Sequence, residues 1–421
     1  MDRFPEIDAS VQDHTVVSRE MRSDVRMAGD RFHESKTIGA SEGQSPETPS
    51  FCMKPMRSIL KTFCALGCVL STVSAEDEAA HFTMDDYYAV EKIDAHFHLR
   101  TRNTDFVSLA VEDKFRFVNI AVHSNSSVEM EFRLRTTFIQ HDAHPDRVVA
   151  ASAFPMSGWD KPDWQEKTIA HLDATIEKGA RAVKVWKNIG MDFRDKDGKL
   201  VMIDDPKLDP VFAHLAKKGI RVIGHLGEPK NCWMPLEKMT VKNDRNYFRN
   251  NPEYHMFLHP EMPSYEDQMG ARDRMLAKNP DLHFIGAHFA SLEWSVDELA
   301  KFLDRFPRAT VDTAARMGQL QYQSNRDRDR VVAFLTKYQD RILYGTDFTM
   351  QPDSIARTTH ARARERWLAN WRYFNTDEEM KVPELDDPVR GIALPKEVVE
   401  KIYRLNAQRV FPGAWKKEPK R

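Results

Sequence analysis

The sequence predicts an α/β protein, a (β/α)8 TIM barrel, on three observations. Eight short apolar runs recur between residues 93 and 347, amphipathic helical stretches alternate with them, and residues able to bind a metal sit where the runs end. Runs this short and this apolar read as strands buried on both faces.

The strands are expected at 93–98, 117–122, 148–153, 182–186, 221–225, 282–288, 309–312 and 342–347. Stretches with apolar residues at helical spacing lie between them, at 165–178, 211–218, 296–306 and 330–338. A doubly wound open sheet is the competing architecture, and it would want a glycine-rich phosphate loop after its first strand. Here the first strand ends in His96-Phe97-His98. Two segments exceed the barrel pattern: a long insertion after strand five, between His225 and Leu282, and an extra segment after strand eight, at 351–394. Long insertions on a barrel usually form walls or lids over the site. A last helix over 396–410 closes the chain.

The chain has 421 residues, with 62 Lys+Arg against 64 Asp+Glu, a balance that argues against a nucleic-acid-binding surface. Residues 1–52 are polar, charged and aperiodic, and read as disordered. Met53-Lys54-Pro55-Met56-Arg57 then opens a basic segment, 59–73 is apolar apart from Lys61, and Val73-Ser74-Ala75 precedes the acidic Glu76-Asp77-Glu78. That is the layout of a secretory signal peptide at 53–75, too short to span a membrane. The expectation is that Met53 is the true start, that 1–52 is an over-extended gene start, and that 76–421 is the catalytic domain, exported to a periplasm or the cell exterior. A genuine N-terminal extension, with the apolar stretch as a packed helix or anchor, is the alternative. Three of the four cysteines precede residue 76, which leaves Cys232, expected as a buried apolar filler.

In a barrel the active site lies at the C-terminal ends of the strands. His96 and His98 end strand one, His225 ends strand five, His288 strand six and Asp347 strand eight. Residues two apart on a strand point the same way, so His96 and His98 can both face the mouth. A lone strand-end histidine is more often structural, but three or four imidazoles and a carboxylate converging on one mouth make a transition-metal site. Lys184 lies in strand four, facing the barrel interior, where a lysine needs a reason. His123, Glu228 and Arg316 follow strands two, five and seven, and each reads either as a substrate contact or as a solvated loop residue. His255 and His259 in the insertion are candidates for a pocket wall or for local structure, and His283 reads as structural.

Ile93-Asp94-Ala95-His96-Phe97-His98-Leu99 resembles the His-X-His opening of the amidohydrolase superfamily. Val222-Ile223-Gly224-His225, Ile285-Gly286-Ala287-His288 and Leu343-Tyr344-Gly345-Thr346-Asp347 resemble its fifth, sixth and eighth strand ends. Leu394-Pro395-Lys396, Ile402-Tyr403 and Asn406-Ala407 resemble the closing helix of its amidohydrolase-2 branch, which includes decarboxylases, hydratases, lactonases and hydrolases. The resemblance implies that His96, His98 and His225 bind a divalent metal beside Asp347, with zinc the default and manganese or iron allowed. It implies Asp347 as general base, with His288 binding metal or polarising a substrate carbonyl. One ion is favoured. Two remain open, because two-metal relatives bridge their ions with a carboxylated lysine at the place of Lys184. Unmodified, Lys184 would pair with a substrate carboxylate or a neighbouring acid, and Lys187 would do that work from the loop.

The expected function is therefore metal-dependent hydrolysis of a small organic amide, ester or lactone. The alternatives are non-oxidative decarboxylation of a small carboxylic acid and a non-catalytic binding protein; a basic pocket of Lys184, Lys187 and Arg316 would favour a carboxylated substrate for hydrolysis and decarboxylation alike. The expected partner is a small-molecule substrate, with no nucleic acid and no membrane span after residue 75; a homo-oligomer is left open.

Overall fold

The computed structural model describes residues 80–123 and 126–415. The expected signal peptide and the tract before it lie outside the described residues. Nine parallel strands follow in order: β1 Lys92–Leu99, β2 Phe115–Ile120, β3 Val148–Ala153, β4 Ala182–Val185, β5 Arg221–Gly224, β6 Phe284–Gly286, β7 Ala309–Asp312, β8 Ile342–Leu343 and β9 Phe348–Met350. Their order in the sheet is β8-β7-β6-β5-β4-β3-β2-β1-β9, so each strand pairs with its sequence neighbour until the ring returns to β1. The expected eighth strand is broken: β8 pairs with β7, β9 pairs with β1, and residues 344–347 between them belong to neither strand. Closure runs through that break, where Ala95 N donates to Tyr344 O at 2.8 Å and Asp347 N donates to His96 O at 2.8 Å. The molecule is the expected TIM barrel.

Alternation along these strands sorts the core into two layers. Ile93, Ala95, Val118, Ile120, Val149, Ala151, Ala182, Ile223, Ile285, Ala287 and Leu343 fill the barrel interior, with Ala407, Val410 and Phe411 packed against its lower end. The other parity, including Phe117, Val183, Val222, Phe284 and Val311, faces the outer helices. The helices between strands include Trp164–Glu177, Asp209–Lys217, Tyr265–Lys278, Val296–Arg305 and Arg328–Lys337. The closing stretch Lys396–Glu400, Lys401–Leu405 and Asn406–Val410 is continuous, with a π turn in its middle. It is fastened beneath β8 by Asn406 Nδ2, which donates to Ile342 O at 2.8 Å.

Both segments expected as additions contain barrel parts. The helix Tyr265–Lys278 lies inside the first, so the added segment is confined to 226–264, which carries the short helix Lys242–Asn250. The second holds the helix Ala356–Asn375, which buries Trp367, Trp371, Tyr373 and Phe374 completely. Trp367 stacks on Phe115 with centroids 4.1 Å apart. Its charged residues hid an apolar stripe that covers the seam of the barrel. Among the described residues no helix is long and apolar enough to cross a membrane.

Candidate metal centre

Simple alternation aims three side chains into the barrel mouth. Lys184 follows Ala182 inward on β4, His225 follows Ile223 on β5, and Asp312 ends β7. For β1 alternation alone gives the wrong answer. Ile93 and Ala95 point inward, so Phe97 would follow them and both histidines would point out. The register slips by one residue between Asp94 and Phe97. This β-bulge leaves Phe97 and Leu99 in the outer core and turns His96 and His98 inward.

Each of three rings is fixed from behind by a buried acceptor. His96 Nδ1 donates to Asp312 Oδ2 at 2.8 Å, His98 Nδ1 to Ile120 O at 2.8 Å, and His288 Nδ1 to Ala314 O at 2.8 Å. These bonds set the tautomer and leave Nε2 of each ring as a lone-pair donor. His98 Nε2 and His96 Nε2 stand 3.1 and 3.4 Å from Asp347 Oδ1. His96, His98 and Asp347 offer ligand atoms all within 4.8 Å of one another. His225 lies outside that trio, but its ring packs on His288 with centroids 4.2 Å apart, and its buried Nε2 has no hydrogen-bond partner among the described residues. An orphaned imidazole nitrogen beside such a trio fits a bound cation. His96, His288 and Asp312 are also close enough to suggest a ligand set. There Asp312 is already occupied, because it accepts from the His96 ring and from the backbone of His288 and Ala314, so it orients and does not ligate.

Burial sets the electrostatics. It pushes the His98 ring down to about 4, and His225 and His288 well below the usual imidazole value, so these rings are neutral donors. Burial alone would raise the Asp347 carboxyl, but His288, His98 and His96 hold it well below the usual range. Lys184 is pushed down to about 8 by burial, only partly offset by Asp347 and Asp312, and its Nζ lies 3.2 Å from His96 Nε2.

The weaker candidates separate clearly. Lys187 is ion-paired with Glu228, which is buried and not solvated, and Glu228 Oε2 lies 3.9 Å from His225 Nε2. Arg316 is 8 % exposed; its Nη1 donates to Ala315 O at 3.0 Å, and its Nε has no partner among the described residues. His123 is buried, with Nδ1 3.3 Å from Phe154 O, and lines a cavity of about 260 Å³ with Met156, Asp192 and Phe193. His255 and His259 bond to Met234 O and Pro252 O at 2.8 and 3.1 Å, which are local roles. Cys232 is buried, with Sγ 3.1 Å from Tyr254 O, as a filler would be.

Sequence reasoning missed Asp312, Asp94 and Glu293. Asp94 accepts from Thr346 N, Thr346 Oγ1 and Trp367 Nε1, stapling β1 to the turn that carries Asp347. A carboxylate within an otherwise buried strand was the available signal for Asp94 and Asp312. Glu293 is buried, which raises it to about 7; Oε1 accepts from Lys230 N while Oε2 has no partner among the described residues.

Two of the side chains at the mouth stand on strained backbone. Asp347 has φ +61°, and Gly345 just before it lets the chain pass so close to β1 that a Cβ would lie 2.9 Å from that of His96. Residues His288, Phe289, Ala290 and Ser291 all have φ between +55° and +59°, a full left-handed turn without a glycine. Each costs roughly 1–2 kcal/mol, so the surroundings must over-determine the turn.

A family model described as Amidohydrolase matches residues 93–413. None of the curated proteins searched matches. Among solved structures, 2,6-dihydroxybenzoate decarboxylase from Rhizobium is 14% identical over 76% of this chain and 98% of its own, with a TM-score of 0.45. A putative 2-pyrone-4,6-dicarboxylic acid hydrolase from Pseudomonas putida is 12% identical over 78% and 99%, with a TM-score of 0.42. A 4-oxalomesaconate hydratase from Rhodopseudomonas palustris is 13% identical over 76% and 95%, with a TM-score of 0.43. The barrel rests on its own strand order.

Proposed function

The chain belongs to the amidohydrolase family, and on that premise we propose that it is a metal-dependent hydrolase of a small organic amide, ester or lactone. The carrying observation is the convergence of His96 and His98 on Asp347, with the orphaned Nε2 of His225 close by. These four residues would hold one divalent cation, with zinc suited to imidazole and carboxylate donors. When bound, the cation would polarise a substrate carbonyl and bring the pKa of water toward 7. Asp347, ionised, accepts a proton from the attacking water and returns it to the leaving group. His288, whose Nε2 carries a free lone pair, accepts from an O–H of the water or substrate, while Asp312 and Asp94 keep the β1 histidines and the Asp347 turn in place.

Non-oxidative decarboxylation is the second reading, and Arg316 favours it. Among the described residues the buried Arg316 guanidinium makes no direct ion pair, although Asp244 and Glu293 feel its charge, and a substrate carboxylate would complete it. Lys187 is already spent on Glu228, so Arg316 is the better anchor. We also keep the export signal at 53–75, with processing before residue 76; mature exported protein that still carries residues 1–52 would overturn that part.

The experiment is metal content per chain of protein purified without chelator and with bicarbonate present. About one ion per chain supports the four-residue site and leaves decarboxylation open. About two would mean a carboxylated Lys184 and a second ion at His288, favouring hydrolysis. No bound metal after supplementation would sink the reading.

A further inference from the structure

We propose that Tyr265 and Arg272, on the outer helix Tyr265–Lys278, are positioning residues for His288. The inference rests on the reading of His288 as a working residue of the site. Alternation along β6 points Ala287 into the barrel and would send the next side chain outward. The left-handed turn at 288–291 reverses that and brings the His288 ring back to within 4.9 Å, centroid to centroid, of His96.

The turn's internal bonds are few: Ser291 N donates to His288 O at 3.1 Å and Leu292 N to Phe289 O at 2.9 Å. It is gripped from both sides. On the inner side, Asp312 Oδ1 accepts from His288 N at 2.8 Å, and Ala314 O accepts from the ring. On the outer side, Arg272 Nη1 donates to Ala290 O and Tyr265 Oη donates to Ser291 O at 2.5 Å. Both outer residues are buried. Arg272 is held by Asp273 and lies 4.4 Å over the Phe302 ring. Beneath the turn Gly286 leaves no room for a side chain, since a Cβ there would lie 2.5 Å from that of Ala290.

Tyr265 also reaches the cover of the site. Its ring packs on Trp233 with centroids 5.6 Å apart, its oxygen accepts from Trp294 Nε1 at 2.8 Å, and the Lys230 ammonium lies 5.0 Å from its ring centroid. One side chain thus joins the wall at 226–264 to the turn that aims His288. A clamp that served stability alone would need neither this aim at two consecutive carbonyls of the strained turn nor the contact with the wall.

The test reads the hydrogen bond of the His288 ring in the full chain. In protein with 15N-labelled histidine, the Nδ1 proton of His288 is assigned by its loss in His288→Asn, and its exchange with solvent is followed. Tyr265→Phe should speed that exchange tenfold or more, and Arg272→Lys should do the same. The Nδ1 protons of His96 and His98, bonded to Asp312 and Ile120, should keep their wild-type rates. Adding Ala290→Gly to Tyr265→Phe should restore protection, because glycine takes positive φ without strain. If all three ring protons speed up together, or none does while the melting temperature falls, the two residues only hold the helix and the proposal is wrong. Should Arg272→Lys fail to fold, Tyr265→Phe, which loses one oxygen, carries the test. The readout needs no metal or substrate, so a metal-free protein would sink the proposed function and leave this result standing.

Discussion

Two buried polar clusters flank β1, and they differ in what their atoms have left to give. Behind the strand, Asp113 accepts from His360 Nε2 at 2.7 Å, Arg364 Nε at 2.8 Å and Tyr87 Oη at 3.1 Å. Lys92 beside it donates to the carbonyls of Tyr87 and Val90 and lies 4.3 Å from the Tyr87 ring centroid. The carboxylate is saturated by its own chain. In front of the strand, the barrel mouth has the same residue types with imidazole nitrogens directed at one another and, among the described residues, His225 Nε2 and Arg316 Nε unpaired. Buried histidines and carboxylates do not in themselves mark a site. A convergent set with unspent donors and acceptors does, because folding alone would not retain that cost.

Exchanging a residue on each side would break this comparison if it is wrong. His225→Leu should have the largest effect. Metal affinity should fall by more than the roughly 10–100-fold that loss of an outer hydrogen-bond partner costs. The metal-free protein should keep its stability to within about 1 kcal/mol, since an unsatisfied polar group is replaced by an apolar one of similar size. Titration with zinc and denaturant unfolding measure the two; a large stability loss would make His225 a structural residue.

Asp113→Ala should do the reverse. It strips three partners of a buried carboxylate and should cost about 3–5 kcal/mol of stability. Metal bound per folded chain should not change, and a loss of metal here would show that the two clusters are one unit.

The smallest effect sharpens the rear cluster alone. Burial pushes Lys92 down to about 7 from 10.5. A folded-state value below the unfolded one gives stability that is present above pH 10.5 and lost as pH falls through about 7. The chain should therefore gain stability on going from about pH 7 to about pH 9, and Lys92→Met should remove on the order of 2 kcal/mol of that gain. Lys184, pushed down to about 8, keeps the remaining slope in the variant. An unchanged slope would mean that Lys92 is charged and fully compensated in the fold.

The barrel was legible because strands buried on both faces leave continuous apolar runs, whatever they pack against. The third and seventh runs fall at the expected residues, and the closing helical stretch covers 396–410 as expected. The site was legible in part for a related reason: strand ends converge on one mouth, so His96, His98, His225, His288 and Asp347 could be gathered from their positions alone. The helix Ala356–Asn375 was harder to read as core, since its arginines mask Trp367 and Trp371, which are buried only once the barrel seam exists.

The sequence by itself determined the order of strands, the residue types at their ends and the family they resemble, because those follow from local pattern. Tertiary structure alone decided how they point. A one-residue bulge in β1, a left-handed turn after β6 and a positive φ at Asp347 each re-aim a side chain against the direction or the regular path of its strand. Such departures carry a local cost and are held only by distant partners: Asp312 for His96 and His288, Asp94 for the Asp347 turn, Arg272 and Tyr265 for residues 290 and 291. Those partners lie up to 252 residues away along the chain. No short-range pattern encodes them, because the energy that holds each departure exists only when the whole barrel is closed.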